Sequence, residues 1–177
     1  MSEKERLHSL ITLRKATPRD AHLIACIEET AHPLSEEASQ RFDRELIETL
    51  LTEYENNGEN HSFIAYDGEV PVGHMLMTAK DFTEGKEYCI ASWSVIPNYR
   101  SFKTAIVMAR YALAIGGGCS SYRAWAREKT VMKNTLKPGI SKWLSRLGYE
   151  AHVDESSRGD WGGEPHVGVR LTPIPSS

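Results

Sequence analysis

No run of apolar residues in this sequence approaches the ~20 needed to span a bilayer, so no transmembrane helix is expected. Cysteine is scarce. Cys26, Cys89 and Cys119 are odd in number and widely spaced. That spacing excludes a disulfide framework and a paired zinc site, and buried reduced thiols are the expected state. Basic charge is not in excess. Lysine and arginine total 21 against 24 acidic residues, a formal charge of −3, which leaves no electrostatic footprint for nucleic acid. The opening Met1 to Arg6 is polar and leads into no signal-peptide core, so the expected location is the cytosol.

What remains is the composition of an ordinary soluble domain: 177 residues, 40% apolar and 25% charged. Residues 1–9 read as a charged tail, 10–172 as one domain and 173–177 as a short end. Leu10 to Leu13 predicts a strand. Thr17-Pro18-Arg19-Asp20 is a helix start, with a capping Thr, a Pro suited to the first turn and an acid at the positive end. Ala21, Ile24, Ala25 and Ile27 then give a helical stripe until His32-Pro33. A second helix is expected from Ser35, carrying Phe42, Leu46, Ile47, Leu50, Leu51 and Tyr54 at the 3.6-residue period.

Ser62 to Tyr66, the tight-turn pair Asp67-Gly68 and Val70 to Thr78 predict an antiparallel hairpin. Asp81 to Lys86 reads as a turn, and Glu87 to Ile96 as the next strand. A helix follows with Phe102, Ala105, Ile106, Ala109 and Leu113 on one face, ended by Gly116-Gly117-Gly118. Ser121 to Arg127 is a strand, Pro138 to Leu147 a helix and Tyr149 to Val153 a strand. Asp154 to Pro165 reads as a glycine-rich loop, and His166 to Leu171 as the last strand. The order is β-α-α-β-β-β-α-β-α-β-β. The tryptophans suit packing, except that Trp161, in the run Arg158 to Gly163, stands on a loop of the kind that covers a binding site.

The stretch Val95-Ile-Pro-Asn-Tyr-Arg-Ser-Phe-Lys-Thr-Ala105 joins a strand to a helix through a polar turn. Such a turn aims free backbone N–H groups, with the positive end of a helix, at one point, and is a seat for an anion.

In this order of elements the chain resembles the GNAT superfamily, the Gcn5-related N-acetyltransferases. Three stretches carry the resemblance: Leu13 to Asp20, the hairpin Phe63 to Gly73, and Trp143 to Tyr149. It implies an α/β fold, a mixed and mostly antiparallel sheet of about seven strands flanked by four helices. It also implies transfer of an acetyl group from acetyl-coenzyme A to an amine by direct attack in a ternary complex, without a metal. A homodimer is compatible with it.

The resemblance further implies that the backbone around Trp93, Ser94 and Val95 meets the pantetheine arm. The family's turn pattern is Gln or Arg, two residues, Gly, one residue, then Gly or Ala. Arg100, Lys103 and Ala105 stand at those places, and the amides of Ser101, Phe102, Lys103, Thr104 and Ala105 would meet the pyrophosphate. Lys103 departs from the family's Gly. A left-handed conformation there would cost roughly 1–2 kcal/mol, while its ammonium would add charge at the phosphates.

Two further positions depart. Cys89 stands where many members have a basic Glu, and Leu144 where many have an acidic Tyr. The resemblance makes Glu87, two residues earlier on the same strand face, the first candidate base. His74, on the neighbouring strand, is the second, because imidazole titrates near neutrality. The three departures also admit a protein of this fold that no longer transfers and serves as a binding or structural partner.

Overall fold

Alternation along the strands decides how the layers stack. In the computed structural model, residues 11–32, 42–82, 85–100, 102–115, 121–127, 138–161 and 164–175 are described. Strand β1 (Ile11–Lys15) leads through a one-turn 3-10 segment (Pro18–Asp20) into helix α1 (Ala21–Ala31). The Asp20 carboxylate accepts from both the backbone N–H and the hydroxyl of Thr17, at 2.9 Å each, and Arg14 closes on it at 2.7 Å. The predicted helix start is therefore built by Asp20 as much as by Thr17.

Helix α2 (Arg44–Asn56) is capped by Asp43, whose side chain accepts from Leu46 N–H. Strands β2 (Phe63–Asp67), β3 (Val70–Phe82) and β4 (Gly85–Val95) form a meander. Helix α3 (Phe102–Ile115), β5 (Ser121–Arg127), α4 (Pro138–Arg146), β6 (Tyr149–Trp161) and β7 (Glu164–Pro173) complete the chain.

The seven strands lie in the order β1-β2-β3-β4-β5-β7-β6. All neighbours are antiparallel except β4 and β5. A parallel pair needs a crossover, and α3 lies in that connection. Alternate residues of the central strands separate two cores. Ile64 and Leu76 pack with Ala21, Ile24 and Ile27 of α1 and with Ile47 and Leu51 of α2. On the opposite face Phe63, Ala65, Met75 and Met77 pack with Met108, Ala112 and Leu113 of α3. There Tyr88 stacks on Tyr122 with centroids 5.2 Å apart, and Tyr149 meets Tyr122 edge-on at 5.7 Å. The Tyr122 hydroxyl donates to the carbonyls of Ala112 and Leu113 in the last turns of α3.

The element order agrees with the expected one, and four local readings change. Asp154 to Trp161 is not loop but the second half of β6, paired with β7 from Arg158↔Val167 to Trp161↔Glu164 after a bulge. The covering loop expected at Arg158 to Gly163 is thereby removed as far as Trp161; residues 162–163 lie outside the described residues. Strand β3 continues to Phe82, and β4 begins at Gly85, within the expected turn. The buried residues of α3 are Thr104, Met108, Ala112 and Leu113, so Leu113 stands as expected while Ala105, Ile106 and Ala109 are only partly buried; the side chain of Phe102 lies outside the described residues. Cys26 is exposed and Cys89 half-buried, both as free thiols, while Cys119, the Ser35 helix start and the glycine run lie outside the described residues.

Candidate functional site

The β4–β5 pairing is short. It runs from Glu87↔Ser121 to Ile90↔Ala124, after which β5 goes on pairing with β7 alone. On the other edge of β4 the register with β3 shifts between Leu76 and Met77, so that Ala91 is the extra residue of a bulge. Bulges re-aim the side chains that follow them. Beyond Ala91, Ser92 stands opposite Leu76 and Ser94 opposite His74, which puts both hydroxyls on the α1 face. Trp93 stands opposite Met75, toward the α3 face, and is 44% exposed. The segment 91–95 thus keeps β3 on one edge and, among the described residues, has no strand partner on the other.

Into this place α1 sends a carboxylate. Glu28 is 1% exposed. Its Oε1 accepts from His74 Nε2 at 2.6 Å, Ser92 Oγ at 2.6 Å and Ser94 Oγ at 3.0 Å. His32, at the C-cap of α1, brings Nε2 to 3.8 Å from Glu28 Oε2 and to 3.2 Å from Ser94 Oγ. Burial alone would push the Glu28 carboxyl up. The hydrogen bond and charge of His74, with the two serine hydroxyls, outweigh it and hold Glu28 below the usual carboxylate range. His74 is fully buried, and its Nδ1 has no hydrogen-bond partner among the described residues. Sequence reasoning singled out His74 and Ser94 but missed Glu28, Ser92 and His32. Their signal was a Glu seven residues after Ala21 and four after Ile24, on the apolar stripe of α1.

After Val95 the chain makes a 3-10 turn, Pro97–Tyr99, and enters α3 at Phe102. Tyr99 donates to Asp67 at 2.9 Å, which ties the turn to the β2–β3 hairpin. The Arg100 guanidinium donates to the carbonyls of Ala31 and Val95, so it straps the end of α1 to the end of β4. Ser101 lies outside the described residues. Phe102, Lys103, Thr104 and Ala105 form the first turn of α3. No non-glycine described residue has a positive φ, so Lys103 is right-handed and the left-handed strain does not arise.

Glu87 sits at the paired end of β4, four residues before the bulge. It is 3% exposed, accepts from Arg170 at 2.7 Å and lies 3.6 Å from Arg123, with Ser121 Oγ at 3.4 Å. These contacts tie β4 to β5 and β7. Glu87→Ala is expected to lower stability by about 1.5–3 kcal/mol in urea denaturation, the range for hydrogen bonds to a charged group. Both arginines are partly exposed and regain water, which keeps the loss below that of a sealed pair. Cys89, on the same face, has its thiol pushed up by burial and by Glu87, and a neutral thiol is a poor nucleophile. Leu144 is buried in α4. Trp125 departs from the packing expectation: it is 43% exposed, and a Cβ on Gly159 of β6 would lie 2.7 Å from its ring. Among the described residues, no His, Cys, Asp and Glu side chains gather in a set able to hold a metal ion, and no helix is long and apolar enough to cross a membrane.

A comparison with curated proteins finds no match. Among solved structures the chain is similar to an acetyltransferase from Thermus thermophilus, with a TM-score of 0.61 and 16% identity over 94% of this chain and 99% of that one. It is similar to the N-acetyltransferase PaiA of Thermoplasma acidophilum in complex with coenzyme A, with a TM-score of 0.58 and 13% identity over 93% and 99% of the two chains. It is also similar to Naa50 of Arabidopsis thaliana in complex with the bisubstrate analogue CoA-Ac-MVNAL, with a TM-score of 0.57 and 11% identity over 90% and 97%. These likenesses show the fold. The model of the acetyltransferase (GNAT) family matches residues 23–135, from α1 past β5. With that span and with the seven-stranded sheet broken open at β4, the chain belongs to the GNAT acetyltransferase family.

Proposed function

We propose that the protein transfers an acetyl group from acetyl-coenzyme A to an amine, by direct attack within a ternary complex, and works in the cytosol. One observation carries the reading. The β4–β5 pairing ends at Ile90↔Ala124, and the strand edge it leaves runs straight into the turn before α3. The cofactor's pantetheine arm takes the edge of Trp93, Ser94 and Val95 as a further strand would. Its pyrophosphate takes the amides of Ser101 to Ala105, where a helix start favours negative charge. The right-handed Lys103 leaves its amide free to join them. Arg100 keeps the turn in place through Ala31 and Val95.

The thioester then emerges beside Ser94, on the α1 face. His74 belongs to this reading as part of the Glu28 cluster, and Glu87 as the anchor of β5 and β7. The cofactor supplies an activated acyl group with a thiolate leaving group, so the loss of the family's Tyr at Leu144 slows departure without preventing it. The solved relatives carry coenzyme A in one case and a peptide-linked analogue in another, in keeping with an amine acceptor.

A ligand at a hundred times its dissociation constant stabilises the native state by ~2.7 kcal/mol, or several degrees of melting temperature. Millimolar acetyl-coenzyme A is expected to raise the melting temperature by that much, and Arg100→Ala to reduce the rise. An unmoved melting curve ends the reading.

A further inference from the structure

The apolar layer under α1 and α2 stops at β4. It takes Ile64, Leu76 and Ala91 from the sheet and, among the described residues, nothing from β5, β6 or β7. On that uncovered half, strand alternation puts Arg123 and Trp125 of β5 and Arg170 of β7 on the same side as Glu87 and Ser94. Arg123 and Arg170 are direct register partners. Glu87 accepts an N–H of Arg170 at 2.7 Å and stands 3.6 Å from Arg123 Nε. A guanidinium offers five N–H donors. Glu87 engages one nitrogen of Arg170, and Arg123 Nε, although shielded from water, has no hydrogen-bond partner among the described residues. Both arginine side chains are partly open to solvent, by 39% and 46%. The acids of β6 are turned to other groups: Asp154 accepts from Ser156 and Ser157, and Glu150 stands 3.5 Å from His152. One buried carboxylate thus faces two guanidiniums, and the pair keeps an unmatched positive charge on an open part of the sheet.

We propose that Arg123 and Arg170 form a subsite for a carboxylate on the acceptor, so that the substrate is an amino acid whose amine stands several bonds from its carboxyl group. The inference rests on the acetyl-transfer reading and names the acceptor class of that same site. Guanidiniums gathered side by side suit a carboxylate, which accepts paired N–H bonds in one plane. Parallel pairing sets Arg123 level with Cys89, at the closed end of the fork between β4 and β5. In the proposed complex the thioester stands beside Ser94, five residues further along β4. At about 3.3 Å per residue the two levels are roughly 16 Å apart along the backbone, a gap that the long arginine side chains shorten but do not close. An amine and a carboxylate on one carbon cannot meet both places; a run of methylenes can. Trp125 lies between the two levels, past the last β4–β5 pair. It is 43% exposed, with its ring against Gly159 of β6, and gives those methylenes an apolar wall.

The probes ε-aminocaproate and ε-aminocaproamide share an amine and a chain length and differ at the far end, charged in one and neutral in the other. With the full chain, acetyl-coenzyme A and coenzyme A release as readout, kcat/KM is expected to be at least about tenfold higher for the carboxylate, the size of one charge-assisted hydrogen bond. The preference is expected to narrow as salt rises, because both arginines are partly exposed. Arg123→Gln is expected to bring the ratio to within about threefold. Arg123→Lys, which keeps the charge without the fork, is expected to fall between. A fault in folding or in cofactor binding lowers both probes alike, so the ratio reads the subsite alone. Equal use of the two probes by the wild type, use of neither, or an unchanged ratio in Arg123→Gln overturns the carboxylate subsite. The acetyl-transfer reading then stands as long as acetyl-coenzyme A raises the melting temperature. An absent melting shift in the wild type overturns both.

Discussion

Glu28→Ala is expected to lower the stability by about 3–5 kcal/mol, a fall in melting temperature of roughly 6–20 °C for a chain of this length. The size follows from what the substitution leaves behind. His74 Nε2, Ser92 Oγ and Ser94 Oγ lose their common acceptor in a place where Glu28 itself is 1% exposed. Each orphaned buried donor costs about 1–3 kcal/mol, less what the serines recover by turning. Glu28→Gln is expected to cost less, since its amide oxygen keeps part of the network, although its NH₂ adds donors to a site that already has three.

The acid limb of the stability profile separates the two states of Glu28. Its folded-state pKa lies below the ordinary 4.5. Its contribution is therefore complete above that value and is lost as the pH falls through the depressed one. The stability gap between wild type and Glu28→Gln is expected to close on acidification below about pH 4.5. Equal urea midpoints for wild type and Glu28→Ala at pH 7 would sink the account of the cluster.

The second large effect is expected at Gly73 on β3, opposite Val95. A Cβ there would lie 2.8 Å from the Ser94 carbonyl oxygen and 3.2 Å from Val95 Cγ2. The nearest atom is backbone, so it cannot swing aside as a side chain would. Gly73→Ala is expected to cost about 1–3 kcal/mol, the range for forced overpacking. It also pushes on Ser94 and Val95, two of the three residues proposed for the pantetheine arm, so the melting shift with acetyl-coenzyme A is expected to fall along with the unliganded melting temperature. A variant with a full ligand shift would show that the displacement is taken up elsewhere in β4.

The order of the elements was legible because the central strands alternate against two apolar layers, and because Asp67-Gly68 and Thr17 to Asp20 mark a turn and a helix start in chemistry that is local. The long β6–β7 hairpin was not. From Asp154 to Trp161, β6 is the outermost strand and carries a polar, glycine-containing run, so it lacks the alternation that betrays a half-buried strand. Its pairing partner, β7, is what makes it a strand.

Glu28 was hidden for the opposite reason. Beside Glu29, it reads as part of a solvated helix face, yet it falls in step with Ala21, Ile24 and Ala31, all buried. Its meaning lies on β3 and β4, some 46 to 66 residues away in the chain. The position of Arg100 was legible from the turn pattern. Its hold on Ala31 was not, since nothing local announces which helix ends beside it.

The single parallel seam of the sheet has a mechanical side. Four register pairs join β4 to β5, where β3 and β4 share ten. The file of Tyr88, Tyr122 and Tyr149 crosses the same boundary and acts as its rivet. The molecule is in this sense a hinged plate: β1 to β4 on one leaf, β5 to β7 on the other, with the break between them at the site proposed for the cofactor. Cooperative opening along such a line takes less free energy than global unfolding. A molecule wedged between the leaves would bind them together as a key pins a mortise.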